Sequence, residues 1–392
     1  MRIAMFSDSY TPIVNGVSVS IQLLIEELRA RGHSVHPYTA AYPGYRDDDP
    51  NVVRFRSIRT PYTGDYPLAI PPFYQYVRGF RSQAFDLVHT HTPYTVGYVG
   101  MRWAESEHLP LVSTYHTLYE KYVHYIPMFP KWYVLYKIWK HTNYYYNQCQ
   151  QVIAPSEAAK KSLARHYVTK PITVIPTGCK VNRGLDRPEA RRAAGVRDNE
   201  KLALYVGRIA REKNIGFLLE AAAIAMRQNS ALRLIFVGDG PFRARSEAYA
   251  RALGIGDRTK FVGAVPRESV ETFFAAADLF VFASQTETQG LVIGEAMLHG
   301  VPAIAVQGGG AAAAVEDNVN GFVVPPDVGM FADAMLRFFS NAALAERLSR
   351  GARESSKGWT AATMCDAVLE VYERAVHEYR GGVKTYEYSR AD

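Results

Sequence analysis

Two glutamates eight positions apart, Glu287 and Glu295, lie in the stretch SQTETQGLVIGEAMLHGVP, directly behind the apolar run LFVFAS. The run reads as a strand, the polar part as a loop and GLVIGEAMLHG as a helix, so a carboxylate stands on each side of Gly290. In open α/β sheets, ligands sit beyond the carboxyl ends of strands, where helix N-termini offer unpaired N–H groups to anions. Amides of Thr288, Gln289, Gly290, Leu291 and Val292 are placed to donate to a sugar or phosphate, and Gly290 lacks the side chain that would block approach. Glu295 falls four residues into the helix, on the side of Leu291 and bordered by Ile293, Ala296 and Met297. A carboxylate there is either hydrogen-bonded or turned to solvent. The segment has the makings of one wall of a nucleotide-sugar site.

Cations of matching chemistry stand upstream. The strand LALYVGR ends at Gly207-Arg208, and Lys213 follows just before a helix starting at Asn214. Two cations beside a helix N-terminus suit a diphosphate and the charge that builds on it as a leaving group. Plain solvated loop charge is the alternative, and it leaves Gly207 unexplained. GDG at 238–240 and the Gly263, Ala264, Val265 run are further strand ends, able to line the same cleft and read a base edge, or simple turns. Near the start of the chain, RIAMFSD leads through SYTPIVNGVSVS into a helix, and Asn15-Gly16 fits a tight turn at which the backbone approaches a phosphate, or a turn only. The absence there of GxGxxG, and of an acidic residue about twenty positions on, argues against a nicotinamide dehydrogenase. His116, at the end of LVSTYH, is placed to donate to a sugar hydroxyl or to developing charge, or is structural. His89, His91 and His116 fall on separate strand ends without a carboxylate at ligand spacing, and Asp47 to Asp49 sit in a surface-loop composition, so no metal is expected.

The elements that must position these residues are short apolar runs alternating with amphipathic helices. RIAMFSD, SVHPYTA, DLVHTH, LVSTYH, QVIAPS and ITVIPTG read as strands in the first half, and LALYVGR, LRLIFVGDG, TKFVGAV, DLFVFAS, PAIAV and GFVVP in the second. That alternation predicts βαβ units on parallel sheets, hence an α/β chain of two Rossmann-like doubly wound domains facing across a cleft. The expected domains are 1–183 and 184–360, with a linker near 180–186 in the charged, strand-free stretch 178–200. The segment 361–392 is expected to return to the first domain, its apolar face formed by Met364, Val368, Val371, Tyr372 and Ala375, with fraying beyond Arg380.

Charge is unevenly shared across the 392 residues. Residues 1–183 hold 20 basic and 12 acidic side chains, against 25 and 26 in 184–392. A basic first half points to a polyanionic partner, nucleic acid or an anionic membrane surface, or to scattered surface charge. No recognisable nucleic-acid motif supports the first. Residues 115–146 interleave nine tyrosines, Trp132 and Trp139 with Lys121, Lys131, Lys137 and Lys140. Such mixing suits a lipid headgroup interface, or an internal aromatic cluster. Cys149, Cys179 and Cys365 are scattered, as in a reducing cytosol. The apolar run Ile3 to Phe6 stops at Ser7 and Asp8, too short for a secretory signal, and the uncharged stretch Ala296 to Val315 contains His299, Pro302, Gln307 and three consecutive glycines, so neither export nor a membrane span is expected.

In their order, GR with Lys213 downstream, GDGP, FVGAVP, the Glu287/Glu295 pair with GEAMLHGVPAIA, and NGF before VVP resemble the retaining glycosyltransferases of family 4, which have the GT-B fold. The resemblance covers nearly the whole chain. It implies that Arg208 and Lys213 neutralise the donor diphosphate, that Glu287 contacts the transferred sugar and Glu295 the ribose hydroxyls, that Gly16 touches the diphosphate and that His116 meets the sugar near the reacting carbon. It also implies a metal-independent reaction without a cofactor, in which the leaving phosphate helps to deprotonate the acceptor. Within the family, TYHTLYEKYVHYIP and SQTETQGL are similar to segments of bacterial diacylglycerol glucosyltransferases, implying UDP-glucose as donor, a membrane lipid as acceptor and a peripheral place at the inner face of the cell membrane. Two segments depart from the family pattern: QGGGAAAAVEDNVNGF has alanines where relatives often carry a Glu, and PTGCKVNRGL differs from the usual PTG-Ile-Asp. Other readings that the residues allow are a GDP-mannose- or UDP-sugar-dependent transferase acting on phosphatidylinositol or a polysaccharide precursor, and a nucleotide-sugar epimerase.

Overall fold

Apolar runs bounded by turn residues form strands because a parallel sheet covered on both faces buries every side chain along them. The computed structural model describes residues 1–59, 67–70, 75–123, 128–180 and 186–388. The strands of the first half are β1 (Arg2–Phe6), β2 (Ser34–Ala40), β3 (Val53–Phe55), β4 (Ser57–Ile58), β5 (Leu68–Ala69), β6 (Leu87–Thr90), β7 (Leu111–Thr114), β8 (Gln151–Ala154) and β9 (Ile172–Val174). Apart from a small antiparallel β4–β5 pair, they form a parallel sheet in the order β3-β2-β1-β6-β7-β8-β9. The second half supplies β10 (Lys201–Val206), β11 (Leu232–Val237), β12 (Thr259–Gly263), β13 (Leu279–Phe282), β14 (Ala303–Val306) and β15 (Gly321–Val324), parallel in the order β12-β11-β10-β13-β14-β15. Both orders reverse direction once, at β1/β6 and at β10/β13, as in Rossmann-like folds.

The chain divides into one unit of Met1–Gly178 with Ala361–Asp392 and another of Cys179–Thr360. In the first unit the helices Gly16–Ala30 and Ala361–Tyr388 cover one face of the sheet: Ile21, Leu24, Leu28, Val368, Val371 and Tyr372 pack with Ile3, Met5, Leu87 and Val112. The opposite face is aromatic, with Phe6 stacked on Tyr38 at 4.5 Å and Trp103 edge-on to both. In the second unit Tyr205, Phe236, Phe274, Phe280 and Phe331 anchor a single core. Among the described residues no helix is long and apolar enough to cross a membrane.

One sequence expectation changes. The helix Ala361–Tyr388 does not fray at Arg380 but runs on through Gly381 and Gly382, because extending an established helix adds one hydrogen bond per residue fixed. The strand-free stretch 178–200 contains the helix Arg187–Ala194, capped by Asp186 and closed by left-handed Gly195; residues 181–185, within the expected linker, lie outside the described set. Short, and burying only Ala190, Arg191 and Ala194, this helix leaves no apolar periodicity to read. Its Arg191 is buried and donates to the carbonyls of Ala276 (3.1 Å), Arg197 (2.8 Å) and Glu200 (2.7 Å), tying three segments together. Replacing Arg191 by Ala orphans those acceptors, with an expected cost of about 3 kcal/mol or more. Urea unfolding should show this, and Arg191→Lys, with one donor group in place of a fork, should recover less than half.

Candidate functional site

In the second unit, the loops after β10 and β13 meet because those strands are neighbours at the point where strand order reverses. Arg211–Lys213 form a 3₁₀ turn, and left-handed Asn214 starts the helix Ile215–Gln228. Lys213 Nζ is ion-paired with Glu287 Oε1, and Ser284 Oγ ties the Glu287 loop to the carbonyl of Glu212 at 3.2 Å. Thus two residues singled out 74 positions apart share one spot. Arg208 is exposed beside it, its loop held by the buried Tyr205 hydroxyl, which donates to the Arg208 carbonyl at 3.0 Å.

Two glycine segments are tied to other loops. Gly290 has φ +74°, and a Cβ there would come within 2.7 Å of the Ala311 Cβ, so the missing side chain makes room for the protein's own loop. That loop, QGGGAAAA, lies along the Glu287 segment: Gly310 N donates to the Glu287 carbonyl at 2.9 Å and Gln285 Nε2 to the Gln307 carbonyl at 2.6 Å. Likewise the GDG run is tied to its neighbours by backbone hydrogen bonds. Gly207 N donates to Val237 O (2.9 Å) and Gly238 N to Gly263 O (2.8 Å), which laces the ends of β10, β11 and β12 together. Val265, half-buried, follows this lacing on the β12 side. Thr288, Gln289 and Leu291 are half-buried, with Leu291 opening the helix Leu291–Leu298.

Glu295 is buried in that helix and pairs with Arg267, a partner that the sequence did not disclose because it comes from a different helix, Arg267–Ala276. Burial raises its carboxyl above the usual range, and the Arg267 guanidinium opposes that rise.

In the first unit, Asn15 does not make a tight turn. It is the N-cap of Gly16–Ala30, accepting from Val17 N (3.0 Å) and Ser18 N (2.9 Å), and the space around Gly16 is open. His116 joins two histidines on the neighbouring strand end: His91 Nδ1 is 2.9 Å from His116 Nε2, and the His89 and His91 rings lie 4.0 Å apart. His89 is held by Tyr372 (2.7 Å) and Thr114 (2.8 Å). Among the described residues no three His, Cys, Asp or Glu side chains are grouped to hold a metal. Asp8, at the end of β1, accepts from Thr92 Oγ1 (2.6 Å) and Val96 N (3.0 Å) and so caps the next helix, Thr95–Ser106. A polar residue just past a fully buried strand was its only sequence signal.

The aromatic-basic segment has a buried face and an exposed one. Helix Lys131–Tyr146 buries Val134, Thr142, Tyr145 and Tyr146. Its other side exposes Lys131, Trp132 (71% exposed), Tyr136, Lys137 and Lys140, with Trp139 half-buried against Tyr167; Lys121 is exposed on the preceding turn. Residues 124–127 between them lie outside the described set.

Burial lowers the pKa of His89 to about 3 and of His116 to about 4, and takes His91 well below its ordinary value. Between those values and the unfolded value of about 6.5, the unfolded chain binds more protons than the native one, so stability falls as pH falls. From about pH 7 to about pH 5, wild type should lose roughly 2 kcal/mol more than His89→Gln or His116→Gln, each compared separately by urea unfolding.

Comparison with known proteins agrees with this arrangement. Residues 14–183 match the model "Glycosyltransferase Family 4", and residues 186–355 match "Glycosyl transferases group 1". The alpha-monoglucosyldiacylglycerol synthase of Streptococcus pneumoniae is 33% identical over 78% of this chain and 71% of its own length. A GDP-mannose-dependent alpha-mannosyltransferase of Mycobacterium tuberculosis is 29% identical over 95% of this chain and 96% of its own. Sucrose-phosphate synthase from Thermosynechococcus elongatus superposes with a TM-score of 0.78 at 24% identity, covering 95% of this chain and 98% of that one. The chain therefore belongs to the family 4, group 1 glycosyltransferases and has their GT-B fold, two Rossmann-like α/β domains.

Proposed function

We propose that this glycosyltransferase moves a hexose from a nucleotide-sugar, with UDP-glucose as the favoured donor, to a membrane lipid such as 1,2-diacylglycerol, keeping the anomeric configuration and using no metal or other cofactor. The observation that carries the donor assignment is the Lys213–Glu287 pair at the reversal point of the second sheet. A cation and a carboxylate held together there suit the two halves of a sugar diphosphate. On this reading an arriving diphosphate draws Lys213 away from Glu287 and onto its oxygens, joined by the exposed Arg208. The released Glu287 then accepts hydrogen bonds from hydroxyls of the sugar. Amides of Thr288 to Leu291 add donors, Gly207, Gly263 and Val265 line the nucleotide, and Glu295 takes the ribose.

As the bond from the sugar C1 to the phosphate oxygen breaks, the acceptor oxygen bonds to C1 on the same face and its proton passes to the departing phosphate. Arg208 and Lys213 lower the energy of that leaving group, which is why the site needs few bases of its own. In the first unit, Gly16 at the start of its helix is assigned to the diphosphate and His116 to the sugar. Lowered toward 4, His116 is neutral at physiological pH and donates a hydrogen bond rather than a charge.

Acceptor choice rests on the named activity of the 33%-identical relative and on the exposed Lys131, Trp132, Lys137 and Lys140 side of one helix. Rings that straddle an apolar boundary beside lysines suit the anionic inner surface of a cell membrane, to which the enzyme would bind peripherally. Relatives named for GDP-mannose favour a second reading, mannosyl transfer.

Three measurements test these assignments. A screen of UDP- and GDP-sugars against diacylglycerol, phosphatidylinositol and soluble sugars should give turnover with UDP-glucose and diacylglycerol; product from GDP-mannose instead selects the second reading, and an epimer formed from UDP-sugar alone defeats both. Glu287→Gln and Lys213→Ala should each lower kcat by about 10²–10³-fold with the fold intact. Serine at Lys131, Lys137 and Lys140 together should weaken co-sedimentation with anionic vesicles; unchanged binding would remove the membrane assignment.

A further inference from the structure

Glu295 is more confined than a carboxylate needs to be merely to touch a nucleotide. Its side chain is 6% exposed, Oε1 is engaged by Arg267 Nη2, and Oε2 is buried without a hydrogen-bond partner. An orphaned buried acceptor costs about 1–3 kcal/mol, a penalty that a hydroxyl donor entering beside it removes. The charge around it is sparse. Arg267 and Glu271 face it from one helix, His299 stands at the end of its own helix with Nδ1 3.0 Å from the Glu295 carbonyl, and the Cys179 thiol is close enough to interact. The helix Ala342–Ser356, packed on the same side, brings Arg353 against Gly300. Of these groups Arg267 opposes the effect of burial most strongly, followed by His299, and Glu271 adds to it.

We propose that Arg267 is a positioning residue for the nucleotide: by engaging Oε1 it leaves Oε2 as the oxygen offered to a ribose hydroxyl and holds Glu295 as an acceptor at neutral pH. This rests on the assignment of Glu295 to the ribose. A carboxylate accepts from both hydroxyls of a vicinal diol, whereas the protonated acid has one donor where an acceptor is required. Without the guanidinium, desolvation would carry Glu295 toward the acid form as pH falls, and nucleotide affinity would fall with it. Arg267 is 44% exposed, so its replacement does not threaten the core.

Calorimetric titration of the full chain with UDP and with GDP, at about pH 8 and about pH 6, provides the test. The nucleotide bound by wild type should bind with nearly the same affinity at both. Arg267→Gln should bind nearly as well at the higher pH but about ten-fold more weakly at the lower one, and Arg267→Lys should restore the flat profile. Glu295→Gln should be weak at both. A flat Arg267→Gln profile beside a weakened Glu295→Gln overturns the role of Arg267 and leaves the ribose assignment standing. Wild-type affinity in Glu295→Gln overturns both.

Discussion

A parallel sheet buried on both faces has room for polar groups almost only where its strands end, and the chemistry of this protein follows from that constraint. β10, β11, β13 and β14 are apolar nearly throughout, and the residues that follow them are Gly207-Arg208, Gly238-Asp239, Ser284 to Glu287 and Gln307 to Gly310. Backbone hydrogen bonds lace these loops in two pairs, and the Ser284 hydroxyl and the Lys213–Glu287 ion pair join the pairs, so Glu287 and Lys213 sit on a frame rather than on independent segments. The first sheet departs from this rule, with buried polar residues inside its strands, Thr39 and Gln151 among them. His89, Thr90, Ser113 and Thr114 are polar and fully or nearly fully buried within β6 and β7, and they satisfy one another and Tyr372.

That difference sets the electrostatic character of the two halves. The second unit holds charged pairs, Lys213 with Glu287 and Arg267 with the buried Glu295, so that each cation has an anion at hand. The first holds a neutral histidine cluster whose burial suppresses charge. A site assembled on the second unit can answer a multivalent anion, and a residue such as His116 can contribute direction without adding charge.

The fold was legible because its period was simple. Every strand named from the sequence is present, several of them shortened where the run passes into a loop: DLVHTH yields Leu87–Thr90 and LVSTYH yields Leu111–Thr114. The edge strand Val53–Phe55 and the alanine-faced helix Arg187–Ala194 escaped notice, being too short or too weakly apolar for periodicity to reveal. At the site, residue types at strand ends pointed to Lys213 and Glu287. Arg267 and Asp8 did not stand out, since each acts on a partner brought close only by folding. At Gly290 the sequence pointed to close approach, but the Ala311 loop packed against it came from a distant segment that sequence spacing does not reveal.

The helix Ala361–Tyr388 belongs to a core whose other members come from Met1–Gly178, with an entire second unit made in between. During synthesis the first sheet therefore leaves the ribosome with the face of Ile3, Met5 and Val112 covered by only one of its two helices, Gly16–Ala30, and with His89 lacking Tyr372. Domains generally fold in the order in which they emerge, yet here the unit begun first is completed last. Until the returning helix arrives, that half of the enzyme presents a partly covered apolar sheet face to the cell, and the interval is set by the time taken to translate the second unit.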